Sequence, residues 1–502
     1  MASIISAGTS SGTALNLTGD TSGILQLASN NGTVALTIGT NQAVSFVADA
    51  TINGLTVGLG GGAITSNTVV GAGGALSANS TGTDLTAFGR AALSSNTASF
   101  NSAFGRSALQ NNTSGANNTA VGYQSLVNNT TASYSTAVGY QSGYLSNASG
   151  TAANTSIGAL SLYTNSTGTN NTASGMAALY ANTTGSYNTA IGRDSLQANT
   201  TASNNTAVGY QAAYTNSTGE YVTAIGHQAL YSNTASNNTA VGRGVMYSNT
   251  TGTQNIAVGG GVYGSTNPAL ALNTTGSYNT ALGYSALAAN TTANNNTAVG
   301  YQAGYSNTTG YSNTVLGYQA GYTITTGIEN VIIGCNIGSV ITTGSGNTYV
   351  GGHSISPSSA SVTYEIVIGN GLGKGSTTGY INPAGGGVYQ GNNSTLWSIT
   401  SDQRLKKNIV DNTVGLDAIT KIQVRNFEYR TADEITEVSP DQAIQKTGVQ
   451  LGAIAQELQA VLPECVKQES TGIYTIDADP LIWYLVNAVK ELKAEIDQLK
   501  GK

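Results

Sequence analysis

Ser401, Asp402 and Lys406 are side chains whose types and spacing could carry out covalent chemistry. A serine hydroxyl is a poor nucleophile unless a base removes its proton, and a lysine can be that base when burial or nearby positive charge lowers its pKa toward neutrality. Lys406 lies five positions after Ser401 and is followed by Lys407, so nearby positive charge is available. Taken alone, such a short polar segment is also typical of a solvated turn, and the residues themselves leave both interpretations open.

Paired carboxylates are a second kind of chemistry to consider, because hydrolysis of glycosidic bonds usually needs one as acid and another as base or nucleophile. The first 400 residues contain seven acidic residues: Asp20, Asp49, Asp84, Asp194, Glu220, Glu329 and Glu365. They are far apart in the sequence, although partners could meet across subunits. An enzyme that depolymerises polysaccharide is therefore an alternative and not the main prediction.

The histidines and cysteines form no pattern of metal ligands or disulfides. His227 and His353 each occupy a repeat position without a carboxylate or thiol cluster nearby in the sequence, so neither a metal nor a cofactor is predicted. Cys335 and Cys465 lie in segments of different composition, and we expect two buried free thiols.

The elements that must position these residues divide the 502-residue chain into two parts. Only 8% of all residues are charged, about a third of the roughly 25% usual in soluble domains. Residues 401–502 nevertheless carry 12 of the 17 Lys/Arg and 16 of the 23 Asp/Glu residues, which predicts a boundary near residue 400. The net charge of -6 provides no basic surface for nucleic acid. No segment approaches the ~18 to 20 apolar residues of a membrane span, so membrane insertion is not expected.

The first part consists of repeats such as Asn-Thr-Ala-Val-Gly-Tyr-Gln-Ala-Leu, each followed by a connection rich in Asn, Thr, Gly and Ser. The glycine of the repeat recurs mostly every 17 positions, at Gly89, Gly105, Gly122, Gly139, Gly158, Gly175, Gly192, Gly209, Gly226, Gly242, Gly259, Gly283, Gly300, Gly317, Gly334 and Gly351. One longer step contains Gly260, Gly261 and Pro268 and predicts an inserted loop. So short a unit cannot enclose a core, so the copies must stack. We predict a mainly β fold, a repetitive β-solenoid or β-roll rod over residues 81–370.

Two predictions concern the side chains of this repeat. We expect the aliphatic residue before the glycine to point into the coil, at Val121, Val138, Ile191, Val208, Ile225, Val241, Val299 and Leu316. The residue after the glycine is often tyrosine, at Tyr123, Tyr140, Tyr210, Tyr284, Tyr301 and Tyr318. These rings could stack on the sugars of a cell-surface glycan, or each could cover the next in a ladder, which is the favoured interpretation.

Three further segments complete the organisation of the chain. Residues 1–80, with alternating stretches such as 34–38, are predicted to be a β-rich segment that could attach the chain to a larger assembly, and residues 371–400 a Gly-rich linker or stem. A heptad seam predicts a coiled-coil helix over residues 481–500. Its members are Ile482, Leu485, Val489, Leu492, Ile496 and Leu499. The alternative is a helix folded back onto its own domain.

Four ordered motifs in the charged part carry a resemblance to a known family. They are SDQRLKKNI at 401–409, VRNFEY at 424–429, GAIAQEL at 452–458 and LPECV at 462–466. Together they resemble the S74 peptidase family, the intramolecular chaperone domains that end many phage tail fibres and tailspikes. The resemblance implies a small α+β chaperone domain over residues 401–502, which drives trimerisation of the fibre and then cleaves itself off.

The same resemblance implies the roles of the residues considered at the outset. Cleavage falls between Thr400 and Ser401, with Ser401 as nucleophile, Lys406 as its base and Asp402 as a supporting acid that orients the segment. The chain would then be an enzyme only in a limited sense, as a serine peptidase that acts once on itself, and no external substrate is expected.

The repeats, in turn, resemble the head repeats of trimeric bacterial adhesins and the repetitive fibres of tailed phages, which implies three chains side by side. The two resemblances together imply a virion tail fibre assembled in the host cytoplasm. As a homotrimer it would contact other virion tail proteins and a host surface glycan or protein receptor during host cell attachment. A cell-surface adhesin is the alternative; it should carry an export signal and a membrane anchor, and the sequence shows neither.

Overall fold

The computed structural model describes residues 25–28, 34–38, 44–46, 49–147, 149–261, 267–382, 388–391, 398–399, 403–438, 443–444, 446–469 and 472–501. The chain forms two compact units, Met1–Thr400 and Ser401–Lys502. In the described part of the first unit, regular structure consists of β-strands and one short 3-10 turn, Gly61–Ala63. The prediction of a mainly β fold is confirmed.

The strands of the first unit are short, and most contain three residues. In chain order they are β1 Leu25–Ala28, β2 Val34–Ile38, β3 Val44–Phe46, β4 Ala50–Ile52, β5 Leu55–Gly58, β6 Thr68–Gly71, β7 Thr86–Phe88, β8 Ser102–Phe104, β9 Thr119–Val121, β10 Ala132–Ser133, β11 Thr136–Val138, β12 Gly150–Thr151, β13 Thr155–Ile157, β14 Thr172–Ser174, β15 Thr189–Ile191, β16 Thr206–Val208, β17 Thr223–Ile225, β18 Thr239–Val241, β19 Ile256–Val258, β20 Thr280–Leu282, β21 Thr297–Val299, β22 Thr314–Leu316, β23 Val331–Ile333, β24 Thr348–Ser356, β25 Ile366–Leu372, β26 Gly379–Asn382, β27 Val388–Gln390 and β28 Ser398–Ile399.

Parallel pairing between successive repeats builds the β-solenoid. From β6 to β26 each strand pairs in parallel with the strand of the next turn, apart from the separate β10–β12 pair. Equivalent residues face each other, as where Thr189, Ala190 and Ile191 pair with Thr206, Ala207 and Val208. Antiparallel pairs flank this ladder, β4–β5–β6 before it and β26–β27–β28 after it. The separate strands β1, β2 and β3 form an antiparallel sheet. One turn per repeat is the arrangement that the 17-residue period predicted.

The repeat glycine is where the chain leaves each strand. Gly122 has φ 132°, a conformation that side-chain-bearing residues rarely adopt. A Cβ added to Gly122 would lie 2.4 Å from the carbonyl oxygen of Gly139 in the next turn. Backbone conformation and close stacking of turns therefore both require glycine here, which explains its recurrence through the array.

Alanine, and not the aliphatic residue beside it, fills the strand side of the coil interior. Ala120, Ala190 and Ala207 are completely buried. The residues predicted to point inward are exposed in Val121, Ile191, Ile225 and Leu316 and half-buried in Val138, Val208, Val241 and Val299. That prediction was wrong. Successive side chains of a strand point to opposite faces, so the middle residue of Thr-Ala-Val points inward and the outer two point out.

Two columns of buried asparagine also lie in the interior, together with buried aliphatic residues such as Leu179 and Leu196. In one, Asn182 Nδ2 donates to Asn165 Oδ1 at 2.7 Å and to the Gly185 carbonyl at 2.9 Å. In the other, the backbone N–H of Asn188 donates to Asn171 Oδ1 at 2.9 Å. A buried amide costs free energy unless it is hydrogen-bonded, and here each turn supplies partners to the next.

Glu365 takes the place of asparagine where this second column reaches the last turns. Its carboxylate is fully buried. Tyr349 Oη donates to Oε2 at 2.8 Å, the Ser358 N–H donates to Oε2 at 3.1 Å, and the Gly375 N–H donates to Oε1 at 2.7 Å. Burial, with the neighbouring Glu365 charge, raises the pKa of Tyr349, so this phenol stays protonated. The carboxylate thus joins three backbone segments at the end of the solenoid.

The second unit is a small α+β domain, as expected from the family resemblance. Its helices are α1 Leu416–Ile419, α2 Ala455–Gln459 and α3 Ala478–Lys500, and its strands are β29 Arg425–Phe427, β30 Gln450–Gly452, β31 Val466–Gln468 and β32 Tyr474–Ile476. The strands form two antiparallel pairs, β29–β30 and β31–β32. Leu458, Leu462, Cys465, Val466 and Tyr484 form its buried core.

Candidate functional site

The predicted cleavage segment is only partly described. Thr400, Ser401 and Asp402 lie outside the described residues, so the Ser–Lys pair stays a prediction. Lys406 follows a 3-10 turn, Gln403–Leu405, and its backbone N–H donates to the Gln403 carbonyl at 3.0 Å. Its side chain is exposed in the single chain. The described residues of its own chain therefore do not enclose this side chain.

Helix α3 is fixed to the rest of its domain along one face. Tyr484 and Ala488 are buried, and the Tyr484 hydroxyl bonds to the Glu464 carboxylate. One turn further, Glu491 Oε2 accepts a hydrogen bond from the Leu416 N–H at 2.6 Å, and Asn487 Nδ2 donates to the Asn412 carbonyl at 2.8 Å. The alternative of a helix folded back onto its own domain is thus correct for this face.

The other face of α3 exposes the heptad seam. Ile482, Leu485, Val489, Leu492, Ile496 and Leu499 are between 39% and 73% exposed. Each of these side chains presents apolar surface to solvent, while Tyr484 and Ala488 on a neighbouring face of the helix are buried. The two interpretations of the sequence therefore describe two faces of one helix.

The solenoid also exposes an apolar column, which sequence reasoning missed because it assigned these residues to the interior. The column consists of the residues that directly precede the repeat glycine. Ten of its members, Phe88, Phe104, Val121, Ile157, Ile191, Ile225, Val258, Leu282, Leu316 and Ile368, are between 36% and 55% exposed. In-register stacking places them one above another along the sheet.

The tyrosines after the repeat glycine form the expected ladder. The ring centroids of Tyr123 and Tyr140 are 5.5 Å apart, and those of Tyr301 and Tyr318 are 5.2 Å apart, with interplanar angles of 10° and 8°. Tyr210 packs against His227 instead. Within the ladder each ring covers its neighbour, so the alternative of sugars stacking on these ring faces is not supported.

A second tyrosine ladder was missed, although its signal is present as tyrosine at the fifth position after the glycine. It consists of three separate stacks: Tyr144, Tyr163 and Tyr180; Tyr214, Tyr231 and Tyr247; and Tyr305 with Tyr322. Centroids within the stacks are 4.9 to 5.2 Å apart. Aromatic columns thus run along two positions of the turn.

The few cations of the solenoid share one column, which was also missed. Of the five Lys/Arg residues before residue 400, Arg90, Arg106, Arg193 and Arg243 directly follow a repeat glycine. The guanidinium carbon of Arg106 lies 5.6 Å from the centroid of Tyr123, and that of Arg193 lies 5.9 Å from Tyr210. Cation–π contacts of this length contribute about 0.5–1 kcal/mol at exposed sites.

Several of the acidic residues considered for hydrolysis bind groups of their own chain. Asp49 Oδ1 accepts from the Leu59 N–H at 2.7 Å, and Asp194 pairs with Arg193 at 3.2 Å. Glu365 is held as described above, and Asp20 lies outside the described residues. In the described part of the chain no three His, Cys, Asp or Glu side chains group as metal ligands.

The cysteines differ from each other. Cys465 is buried, and desolvation raises the pKa of its thiol. Cys335 is exposed, so the expectation of two buried thiols was wrong for this residue. It follows a repeat glycine, at the position whose side chains face outward elsewhere in the array.

Among the described helices, none combines the length and apolar character needed to span a membrane.

Comparison with known proteins agrees with the motifs. Residues 401–467 match the family model for the chaperone of endosialidase, peptidase family S74. Neither the curated proteins nor the solved structures gave a match to the chain. The matched segment contains all four motifs of the sequence analysis. The chain thus joins a repetitive β-solenoid to a C-terminal segment that is similar to the intramolecular chaperones of this family. Together these two features support a tailspike- or fibre-like protein.

Proposed function

We propose that three copies of this chain assemble side by side into a virion fibre that contacts a host surface. The observation that carries this proposal is the pair of exposed apolar stripes, one along the solenoid and one along α3. Burying ten half-exposed large side chains per chain would contribute on the order of 10 kcal/mol. That is comparable to an association cost of about 4–15 kcal/mol, and α3 adds its own seam.

The two stripes have different tasks in this assembly. The solenoid column repeats every turn, so a slip between chains by one turn exchanges one aliphatic side chain for another and changes the energy little. The seam of α3 lies at one end of the chain and aligns that end with its copies. Heptad seams bind parallel partners in defined register. We therefore assign register selection to the C-terminal domain and lateral stabilisation to the solenoid.

We further propose that the domain removes itself after assembly. Ser401 Oγ attacks the Thr400 carbonyl carbon as Lys406 takes the hydroxyl proton, and the peptide C–N bond breaks as the proton passes to the leaving nitrogen. The product is an ester between Thr400 and the Ser401 side chain. Water then hydrolyses this ester, which leaves a carboxylate on Thr400 and restores the serine hydroxyl.

The exposure of Lys406 supports a link between cleavage and assembly. Burial and neighbouring cations favour the neutral form of a lysine, which is the form that can act as a base. Three adjacent copies would supply both conditions. We therefore expect cleavage only in the trimer, so that at low protein concentration its rate rises with concentration.

Mass spectrometry of freshly expressed protein under denaturing conditions tests the cleavage. The wild-type chain should give two fragments that meet between residues 400 and 401, and Ser401→Ala and Lys406→Ala should each leave the chain intact. Lys421→Ala, at an exposed lysine that pairs with Asp417, is the matched control and should still be cleaved. An intact wild-type chain, or fragments from Ser401→Ala, would contradict the proposed chemistry while leaving the chaperone role to be judged from the oligomeric state.

A further inference from the structure

The longest step between repeat glycines contains a cavity that the fibre and its cleavage do not require. The cavity has a volume of about 290 Å³ and is lined by Gln228, Arg243, Tyr247, Ser248, Pro268 and Leu272, among others. Small-molecule sites begin at about 300 Å³, so the volume suits one ring and not a long ligand.

Two side-chain ladders end at this cavity. The stack of Tyr214, Tyr231 and Tyr247 ends because the next two turns carry Ala271 and Ala288 at the same position. The amide ladder, in which Gln228 Nε2 donates to Gln211 Oε1 at 2.9 Å, also ends, since Gly244 and Gly261 lack side chains. The missing side chains of consecutive turns create the space.

Asn267 and Pro268 lie at the far end of this gap in the tyrosine column. Asn267 Nδ2 donates to Tyr305 Oη at 2.6 Å, and Tyr305 is the residue at which the same tyrosine column resumes. Pro268 is buried beside this contact and lines the cavity. Asn267 and Pro268 therefore lie between the two parts of the tyrosine column, and Pro268 contributes to the cavity lining.

The lining combines an aromatic ring with one cation. Tyr247 is the last ring of its stack, and its centroid lies 4.9 Å from that of Tyr231. Arg243 supplies a guanidinium, which binds carboxylates in a bidentate manner, and Gln228 supplies an amide that can bond to hydroxyl groups. The described lining residues include no carboxylate. Leu272 and Pro268 add apolar surface.

We infer that this cavity binds a single sugar ring bearing a carboxylate, such as a hexuronic acid unit of a glycan. The ring continues the stack on Tyr247, its carboxylate pairs with Arg243, and a hydroxyl bonds to Gln228. The site lies within one chain and so does not depend on trimerisation. Its use in attachment to a host surface rests on the proposed function.

Saturation-transfer NMR with the full-length protein tests the inference, with D-glucuronate, D-glucose and benzoate as probes at millimolar concentration. We expect D-glucuronate to bind and D-glucose to bind at least fivefold more weakly. Arg243→Gln and Tyr247→Ala should each weaken glucuronate binding at least tenfold. Arg193→Gln and Tyr163→Ala change the same two columns away from the cavity and should leave binding within twofold of wild type.

Each of the following three outcomes overturns the inference. Absence of transfer to glucuronate would show that the cavity does not bind this class of ligand. Equal losses for Arg243→Gln and Arg193→Gln would place binding elsewhere on the column. Benzoate binding as tightly as glucuronate would identify a site for aromatic carboxylates and not for sugars. The oligomeric state and cleavage of the same samples, measured in parallel, separate a failure here from a failure of the proposed function.

Discussion

The solenoid and the C-terminal unit use opposite means to become ordered. In the solenoid many contacts join a residue to its own counterpart one turn away, as Asn199 does with Asn182 and Tyr231 with Tyr247. In the C-terminal unit the contacts join unlike residues, and the ion pairs Arg425–Glu457, Arg430–Glu437 and Lys467–Asp477 each occur once.

This difference has a consequence for assembly. Identical turns stabilise each other wherever they meet, so they contain little information about which turn of one chain should face which turn of another. Contacts that occur once are compatible with one arrangement. A molecule whose length comes from repetition therefore needs a non-repetitive part to set its register.

Removing the C-terminal unit from the solenoid should have the largest effect on trimer formation. Because the solenoid alone lacks a register signal and exposes an apolar column, residues 1–400 produced without the rest should yield aggregates or monomers and almost no protease-resistant trimer. Light scattering after size exclusion, with the full chain as control, measures this. Efficient assembly of residues 1–400 into native trimers would refute the role assigned to the C-terminal unit.

A charge in the α3 seam should have the next largest effect. Val489→Asp places a carboxylate on the exposed seam, so we expect the monomeric domain to stay folded while trimer formation falls at least tenfold and cleavage falls with it. Glu495→Gln, outside the seam, should change neither. Unchanged trimer formation by Val489→Asp in light scattering would show that the seam is not an interface.

Substitutions at inward and outward positions of one strand should affect different properties, the first the stability of the single chain and the second lateral assembly. Ala207→Leu overfills the interior and should lower the free energy of unfolding by about 1–3 kcal/mol. Val208→Ala, the adjacent outward residue, should leave the stability of the single chain within about 0.5 kcal/mol but weaken lateral assembly. Denaturant unfolding together with light scattering distinguishes them, and equal destabilisation by the two changes would contradict the orientation described.

The Glu365 cluster should give an effect on stability of similar size that, in contrast, depends on pH. Tyr349→Phe removes a hydrogen bond to a buried charge and should cost about 1.5–3 kcal/mol. Since the pKa of Tyr349 is raised in the folded chain, its contribution is complete below pH ~10, the pKa of an unfolded tyrosine, and declines as the pH rises from there. The difference between wild type and Tyr349→Phe in urea unfolding should therefore shrink above pH ~10; a constant difference would contradict this account.

The cap of α3 should show the smallest effect. Asp477 accepts from the Asp479 N–H at 3.3 Å, and its hydrogen bond with Lys467 lowers the pKa of the carboxyl. Its contribution is therefore present above the unfolded pKa near ~3.9 and is lost as the pH falls below it. Asp477→Ala should cost about 1 kcal/mol or less, measured by thermal unfolding at pH 7. Asp417→Ala, an exposed acid of α1, is the control and should have no measurable effect.

Several features could be predicted from the sequence because they depend on spacing along the chain. The 17-residue glycine period implies stacked turns, the change in charge near residue 400 marks a second kind of structure, and the four motifs identify the chaperone family. The tyrosine ladder follows from the same period. The Ser401–Lys406 chemistry still rests on the motif, because Ser401 lies outside the described residues.

Other features were decided by the tertiary structure. A strand of three residues can present either its middle or its outer side chains to the interior, and hydrophobicity alone favoured the wrong choice for Val208 over Ala207. Through most of the array the inward strand position holds alanine, and larger residues, Val315, Ile332 and Tyr349, occupy it in the last turns. The cavity beside Tyr247 likewise depends on which residues of different turns are adjacent. The sequence by itself determines the period and the composition of each column, whereas packing between the walls of the coil determines which column faces inward.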